Sequence, residues 1–418
     1  MDPSTELTAP GGSIRKNHRV AVEPELRRWD ALFAARTHAG AGEGLLEILA
    51  LAGAQDVISF AGGFPDPATF PGAVVAEILR ELAESGDPSP FQYAPTDGLP
   101  GPRDYVADRL EADGRRPGEG ELMLTSGSIE ALELLGKALV DRGDRVVVEA
   151  PTYLGAIMAF QSFEGEVASV PLDADGLQVD ALERLLAAGP APKFLYTIPD
   201  FQNPEGVTLS QERREALVQL ARRHGLLVIE DVAYRELHYG REQPASLHSL
   251  APDVVLQIGT FSKTFFPGVR LGWAAGPPDL VAKLVWGKQM TDQCAGALGQ
   301  RLLEEYGRRG HLDEQLARSR EIYRGRRDEA LAALESHLGG RATWTVPEGG
   351  FFTWVELVEG DARTVAARAL EAGVAVVPGV PFFVAGGGER SLRLSFSQLA
   401  FENIEPGIAR LGAAVAAG

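Results

Sequence analysis

The sequence contains a single cysteine, Cys294, so no disulfide can form within the chain. That agrees with a reducing cytoplasm, the expected location. No apolar run approaches the ~20 residues that a membrane span requires. The opening stretch, MDPSTELTAPGGSIRKNHRV, holds no apolar signal core and reads as a flexible leader. A basic excess is also lacking: the net charge is −18. Nucleic-acid binders carry a basic footprint, so no nucleic-acid partner is expected, and the acidity serves solubility. The seven histidines show no HxxH or HExxH spacing, and with one cysteine no metal site is expected. Lysine is scarce too. Only Lys16, Lys137, Lys193, Lys263, Lys283 and Lys288 occur, so any covalent amine chemistry must use one of six residues.

What is present is an ordinary globular balance, 45% hydrophobic and 23% charged, over 418 residues, enough for two or three structural units. Residues 24–54 carry a helical pattern broken near the glycines at 40–44, followed by the irregular ISFAGGFPDPATFPG. Helical patterns recur at about 73–85 and 101–112. Beyond about residue 121, short apolar strands (RVVVEA, EVASVPL, KFLYTI, LLVIED, VVLQIGTF, LGWAAG) alternate with amphipathic helices. This alternation implies an α/β fold with a mostly parallel sheet covered on both faces, whose ligands sit beyond the carboxyl ends of the strands. A long helical region at about 278–338, broken around Gly307 to Gly310, leads into a smaller α+β unit containing GGFFTWVEL, GVAVVPG and SLRLSFS.

Three polar residues close three consecutive strand patterns. Asn203 follows KFLYTIPDFQ, Asp231 ends LLVIED and Lys263 follows VVLQIGTFS, at intervals of 28 and 32 residues. Each interval is about one strand-helix-strand repeat, so the three side chains can meet at one sheet edge. Their chemistry suits pyridoxal phosphate. A lysine amine condenses with its aldehyde. A buried carboxylate keeps the pyridine nitrogen protonated, which makes the ring an electron acceptor. Asn203, joined by Tyr234, can hydrogen-bond the ring hydroxyl. Each residue alone has an ordinary explanation as a cap, turn or solvated side chain; the spacing sets them apart. The other lysines fit less well: Lys137, Lys283 and Lys288 sit in helical patterns, Lys193 begins a strand and Lys16 lies in the leader.

Phosphate requires donors and positive charge. TSGSIEAL (125–132) is a strand end, a glycine turn and a helix start, where backbone N–H groups near Ser128 and Ile129 would face an anion. N-capping by Ser126 or Ser128 explains the same residues. TFSKTFFPGVRLGW (260–273) adds Thr260, Ser262 and Arg270, whose forked guanidinium suits phosphate. Tyr153, after RVVVEA, can stack on the pyridine or serve as a core tyrosine.

TSGSIEAL, EAPTYLG, QNPEG, the Glu230-Asp231 pair with Tyr234, and SKTFFPGVRLGW together resemble the class I/II pyridoxal-phosphate aminotransferases of fold type I. ISFAGGFPDPATFP, FQYAPTDGLPGPRDYV and SLRLSFS are similar to the branch holding 2-aminoadipate and kynurenine aminotransferases and the effector domain of MocR-type regulators. The similarity runs from about residue 25 to the C-terminus. It implies a leader (1–24), an N-terminal helix and arm (25–72), a large cofactor-binding domain (73–306) and a small C-terminal domain (307–418). It implies amino-group transfer between an L-amino acid, aromatic or long-chain in the manner of 2-aminoadipate, and a 2-oxo acid. Lys263, Asp231 and Tyr153 become the catalytic residues, and Arg393 the grip on the substrate α-carboxylate. Asn203, Gly62 and Gly63 line the substrate pocket. Tyr93 reaches the cofactor phosphate of a neighbouring subunit, which implies a C2 homodimer with shared sites. Residues near 24–40 match a mobile helix that covers the site. Phe351, Tyr93 and that helix suit a bulky substrate. Arg36 is either a partner for a second carboxylate or a plain exposed residue.

The chain departs from the family pattern at three places: Glu205 where NPTG has threonine, Ile129 where glutamine is common, and the pair Val232-Ala233 after Asp231, where an acidic residue and proline are usual. None removes a core group. Two alternatives stand beside transamination. One is another pyridoxal-phosphate reaction on the same scaffold: racemisation, decarboxylation, replacement or oxidation. The other is a MocR-like regulator. It is disfavoured because the similarity begins too early for a winged helix-turn-helix and because the chain is acidic.

Overall fold

The computed structural model describes Trp29 and residues 32–37, 57–240 and 243–417. Most of the helix expected over 24–54, and the leader before it, lie outside the described residues. The chain divides into two compact units at Gly40 and Ala41. In the first, Ala35–Thr37 form a 3₁₀ turn on which Arg36 is exposed.

The second unit is built around an eight-stranded sheet. Its strands are β1 (Leu122–Thr125), β2 (Arg145–Ala150), β3 (Glu166–Asp173), β4 (Gly176–Leu177), β5 (Phe194–Thr197), β6 (Leu227–Asp231), β7 (Val255–Thr260) and β8 (Gly272–Ala275). Their spatial order is β1-β8-β7-β6-β5-β2-β3-β4. The run from β7 to β3 is parallel, while β8 is antiparallel to both of its neighbours and β4 to β3. The expected mostly parallel α/β sheet is therefore present. The reversal at β8 has a simple cause. Only Phe261–Leu271 separates β7 from β8, too little for a crossover helix, so the chain must turn back.

Alternation along the strands divides the core. Val146 and Val148 of β2, Phe194 and Tyr196 of β5 and Ile229 of β6 pack with the helices α3 (Ser128–Leu139), α4 (Leu154–Ser162) and α7 (Pro278–Gln289). Val147, Leu195 and Val228 face the opposite way, against α5 (Val179–Ala188) and α6 (Gln211–His224). Helices on both faces leave the carboxyl edge of the parallel strands as the open end.

A third cluster joins α1 (Gly72–Glu84), α2 (Pro100–Ala112), α8 (Ala297–Arg308), the 28-residue α9 (His311–Leu338), α10 (Ala362–Glu371) and α11 (Phe401–Ala416) to a four-stranded antiparallel sheet. That sheet runs β9 (Ala342–Trp344), β10 (Phe352–Leu357), β12 (Ser391–Ser395), β11 (Val377–Pro378). The helical stretch over 278–338 has one break more than expected. Besides the turn at Arg309–Gly310, the chain leaves α7 at Met290 and does not resume until Ala297. The extra turn places Asp292 beside Ser126.

Candidate active site

Strands β2, β5, β6 and β7 are spatial neighbours, and the residues after them converge. A cavity of about 150 Å³ is lined by Gly63, Ser128, Tyr153, Asn203, Asp231, Tyr234, Thr260, Lys263 and Arg393. Nine of the residues singled out from sequence thus share one space. Ile129, Ser262, Arg270, Gly62 and Tyr93 lie outside its lining. Gly62 is buried behind it, while Ser262 and Arg270 build its edge. Phe351, expected in the pocket, is instead packed behind Tyr234 with ring centroids 5.4 Å apart, and Phe352 faces the cavity. The alternating strand register permits only one of two adjacent phenylalanines to point inward.

Lys263 Nζ donates to the carbonyl of Gly63 at 2.8 Å. Burial, with Arg393 and then Arg270 nearby, lowers its ammonium from the usual lysine range to about 8, with Asp231 opposing. A useful share of the amine is therefore neutral near neutral pH. Asp231 is pushed up to about 6 by burial, against the pull of the Tyr196 hydroxyl, the Ala233 N–H and Lys263. The Tyr196 hydroxyl donates to Asp231 Oδ2 at 2.8 Å, and the Ala233 N–H to Oδ1 at 3.1 Å. Both oxygens are thus fixed, and the carboxylate favours a cationic neighbour.

Arg393 lies on β12, paired on both sides, and is 5% exposed. Nη1 donates to Asn203 Oδ1 at 3.1 Å and Nη2 to the carbonyl of Ala61 at 2.7 Å. The rings of Phe352 and Phe382 flank the guanidinium at 4.5 and 4.9 Å. Its Nε has no partner, and it makes no ion pair among the described residues. Burial lowers its proton affinity, to about 10. A buried cation with no ion pair among the described residues, lining a cavity, suits an anion. The Asn203 side chain also hydrogen-bonds Tyr234.

At the opposite edge, Ser126, Gly127 and Ser128 turn from β1 into α3, leaving the first N–H groups of that helix free for a ligand. Arg270 holds a left-handed φ of 50°, uncommon outside glycine, which folds its side chain back over this turn. Its guanidinium donates to Ser262 Oγ at 3.2 Å and to the carbonyl of Ser126 at 3.1 Å. Gly127 sits at φ 96°, a backbone conformation that L side chains rarely adopt, and a Cβ there would lie 2.8 Å from Arg270 Nη2.

Three supporting residues escaped sequence reading. Tyr196 was legible only as a strand residue, although a buried phenol requires a partner. Glu149, buried and raised to about 7 by burial, accepts from Gln202 Nε2 and the Ile198 N–H and so anchors the loop that carries Asn203. Lys288, expected as a plain helical lysine, is fully buried. Its Nζ lies 2.7 Å from both oxygens of Glu130 and 2.8 Å from both of Asp292. Those carboxylates in turn bind the Ser126 N–H and hydroxyl.

The sequence pattern of the family described as "Aminotransferase class I and II" matches residues 55–411. The chain is a class I/II aminotransferase. The aromatic-amino-acid aminotransferase 1 of Thermococcus litoralis is 37% identical to it, over 95% of this chain and 97% of its own. The 2-aminoadipate transaminase of Thermus thermophilus is 41% identical, over 88% and 92%. Among solved structures, the α-aminoadipate aminotransferase from Thermus thermophilus, complexed with N-(5'-phosphopyridoxyl)-L-leucine, superimposes with a TM-score of 0.86 at 38% identity, covering 93% of this chain and 98% of that one. The expected fold type I architecture, enzyme class and cofactor therefore hold for this aminotransferase. The residues present fit pyridoxal phosphate: a partly neutral lysine amine, a buried carboxylate and a donor-rich turn where glycine leaves space. Because only the neutral amine attacks an aldehyde, capture of the cofactor by the apo-aminotransferase is expected to quicken as pH rises through about 8 and then level off. Stopped-flow absorbance across pH 6–10 checks this.

Proposed function

We propose that this aminotransferase acts on α-amino acids with bulky apolar or long side chains, and that the residues around Lys263 carry the reaction. The observation that supports the reading best is Arg393, a buried cation with no ion pair among the described residues, in the same cavity as Lys263. It suits the α-carboxylate shared by amino acid and 2-oxo acid. Phe64, Leu154, Ile198, Phe352 and Phe382 add an apolar lining, consistent with the aromatic and aminoadipate chemistry named for the relatives.

When bound, pyridoxal phosphate supplies an aldehyde for a primary amine and a pyridinium ring that withdraws electron density from the substrate α-carbon. Arg393 and Asn203 hold the carboxylate and set which Cα bond faces Lys263. Lys263 Nζ takes the Cα proton as general base, its proton affinity matched to the task by burial and two arginines. Asp231, steadied by Tyr196, would keep the pyridine nitrogen protonated. Asn203 and Tyr234 would hold the ring hydroxyl, and Tyr153 would stack on the ring. Ser128, Thr260, Ser262, Arg270 and the N–H of Ile129 would hold the phosphate.

A C2 homodimer completes the proposal. Tyr93 is 77% exposed, as expected of a residue that serves a partner's site. Phe91, Trp286, Met290 and Leu298 are also exposed, on elements that pack together: residues 89–91 with α8, and α7 with α3. Exposed apolar side chains of this kind suit burial against a second subunit. No helix among the described residues is long and apolar enough to cross a membrane, and a cytoplasmic location completes the reading.

The deciding experiment mixes holoenzyme with single amino acids and follows conversion to the pyridoxamine form by absorbance. Fast conversion by aromatic amino acids and 2-aminoadipate supports the proposal; no conversion with any donor sinks transamination in favour of another reaction at the α-carbon. Arg393→Lys should raise KM for both substrates by roughly 10- to 100-fold with a smaller effect on kcat, because lysine keeps the charge but loses the fork. Steady-state kinetics separate the two constants.

A further inference from the structure

Behind the strand ends lies a larger cavity, of about 600 Å³, that the reaction does not use. It is lined by α2, by β7 and the segments following β6 and β7, by β8, and by Arg308, Asp313 and Arg320 of α8 and α9. Arg308 and Asp313, both exposed, mark its mouth. Its volume falls in the range of small-molecule sites. It shares Ala233 and Thr260 with the cofactor cavity, so only the segments carrying Asp231, Tyr234 and Lys263 separate the two.

Four buried polar atoms with no hydrogen-bond partner among the described residues belong to residues lining this one space: Arg109 Nε, Gln257 Oε1, Thr264 Oγ1 and Trp273 Nε1. Gln257, Thr264 and Trp273 are at most 8% exposed. Buried polar groups are nearly always satisfied, so four around one cavity call for a ligand or ordered water. Their orientation is set by their surroundings. Gln257 Nε2 donates to the Glu230 carboxylate at 3.1 Å, which directs Oε1 away from that anion. The Trp273 ring is held 5.0 Å from Phe261 and lies over Gly259, where a Cβ would come within 2.1 Å of it. Arg320, at the same wall, donates Nε to the Glu236 carbonyl at 2.8 Å and makes no ion pair among the described residues. Arg109 and Arg235 are already paired, with Glu236 and Asp313 and with Asp113 and Asp200 respectively.

Among the buried atoms left without a partner, two N–H groups and one hydroxyl stand against a single amide oxygen, with the Arg320 guanidinium beside them, while the lining carboxylates Asp108, Asp113, Glu236 and Asp313 are already engaged by arginines. Tyr105, Val106, Leu110 and Phe261 supply apolar wall. We propose that this cavity is a second, non-catalytic site for an α-hydroxy or α-amino acid with an apolar side chain. The carboxylate would accept from Trp273, Arg109, Arg320 and the Thr264 hydroxyl, and the α-substituent would donate to Gln257. A ligand there presses on residues 232–236 and 260–264, so its arrival would register at the cofactor.

L-Phenyllactate is the probe, because its hydroxyl cannot undergo amino transfer. Titrated calorimetrically into holoenzyme, it should occupy two sites per subunit, one at Arg393 and one here. Trp273→Phe, which keeps the ring and loses only the N–H, should weaken one site by about tenfold or more and leave the other unchanged. Thr264→Val should do the same while leaving basal turnover intact. 3-Phenylpropionate, lacking the hydroxyl, should bind the second site more weakly by a similar factor. A single-site isotherm in the wild type, or two sites that ignore both substitutions, overturns the proposal and leaves the cavity to ordered water. A crystal of the holoenzyme soaked with L-phenyllactate gives the independent check: density for the acid against Trp273 supports the site, and water alone refutes it.

Discussion

Lys263→Ala is expected to lower turnover by about 10²- to 10⁴-fold while leaving the fold intact. The side chain reaches the carbonyl of Gly63 and otherwise meets a cavity, so truncation leaves no charge stranded in the core. It also removes a cation that burial and two arginines disfavour. Between pH 8 and 10.5 the unfolded lysine is the more protonated of the two states, so wild-type apo-protein gains stability as pH rises through that window and loses it as pH falls through about 8. The alanine variant should lack this dependence, and apo-protein melts at pH 7 and 10 reveal the difference. Borohydride reduction of wild-type holoenzyme followed by peptide mass analysis should place the cofactor on Lys263. Label on another of the six lysines would end the assignment. Small exogenous amines should partly restore proton transfer in Lys263→Ala, which a merely structural lysine would not permit.

How much of this was visible in the chain depended on the kind of signal. The site's frame was legible because Asn203, Asp231 and Lys263 recur at the period of a strand-helix-strand unit, and the structure places them after adjacent strands β5, β6 and β7. Arg393 and Gly63 were reachable only through family resemblance, since they come from distant elements and no local periodicity brings them to the sheet edge. Phe351 was misplaced because two adjacent phenylalanines leave the inward one undecided until β10 pairs with β12. The supporting layer was the least legible. Tyr196 and Glu149 look like any strand residues until the register of β2, β5 and β6 is known. The cavity lined by Trp273 and Gln257 has no local signature at all, because its walls come from several separate segments.

Lys288→Met is expected to be the most damaging substitution away from the catalytic residues. The lysine is fully buried and contacts both oxygens of Glu130, itself 9% exposed, and both of Asp292. Burial already raises the proton affinity of Glu130 despite the lysine and the Ser126 N–H. Removing the cation would leave that carboxylate buried and unpaired, a loss of about 3–5 kcal/mol. The cost has a pH signature. With Lys288 gone, the folded-state affinity of Glu130 for a proton rises further above its unfolded value. The penalty is therefore absent where Glu130 is protonated in both states, and it grows as pH rises through the unfolded value near 4.5. Denaturant melts should show a large deficit at pH 8 that shrinks toward pH 4.5. Adding Glu130→Gln should recover much of the lost stability, because the neutral amide needs no counter-ion. The same network fixes Ser126, whose carbonyl binds Arg270, so Lys288→Met should also weaken cofactor binding, read by equilibrium dialysis of pyridoxal phosphate. A variant of wild-type stability and affinity would show that the ion cluster only fills space beneath the phosphate turn.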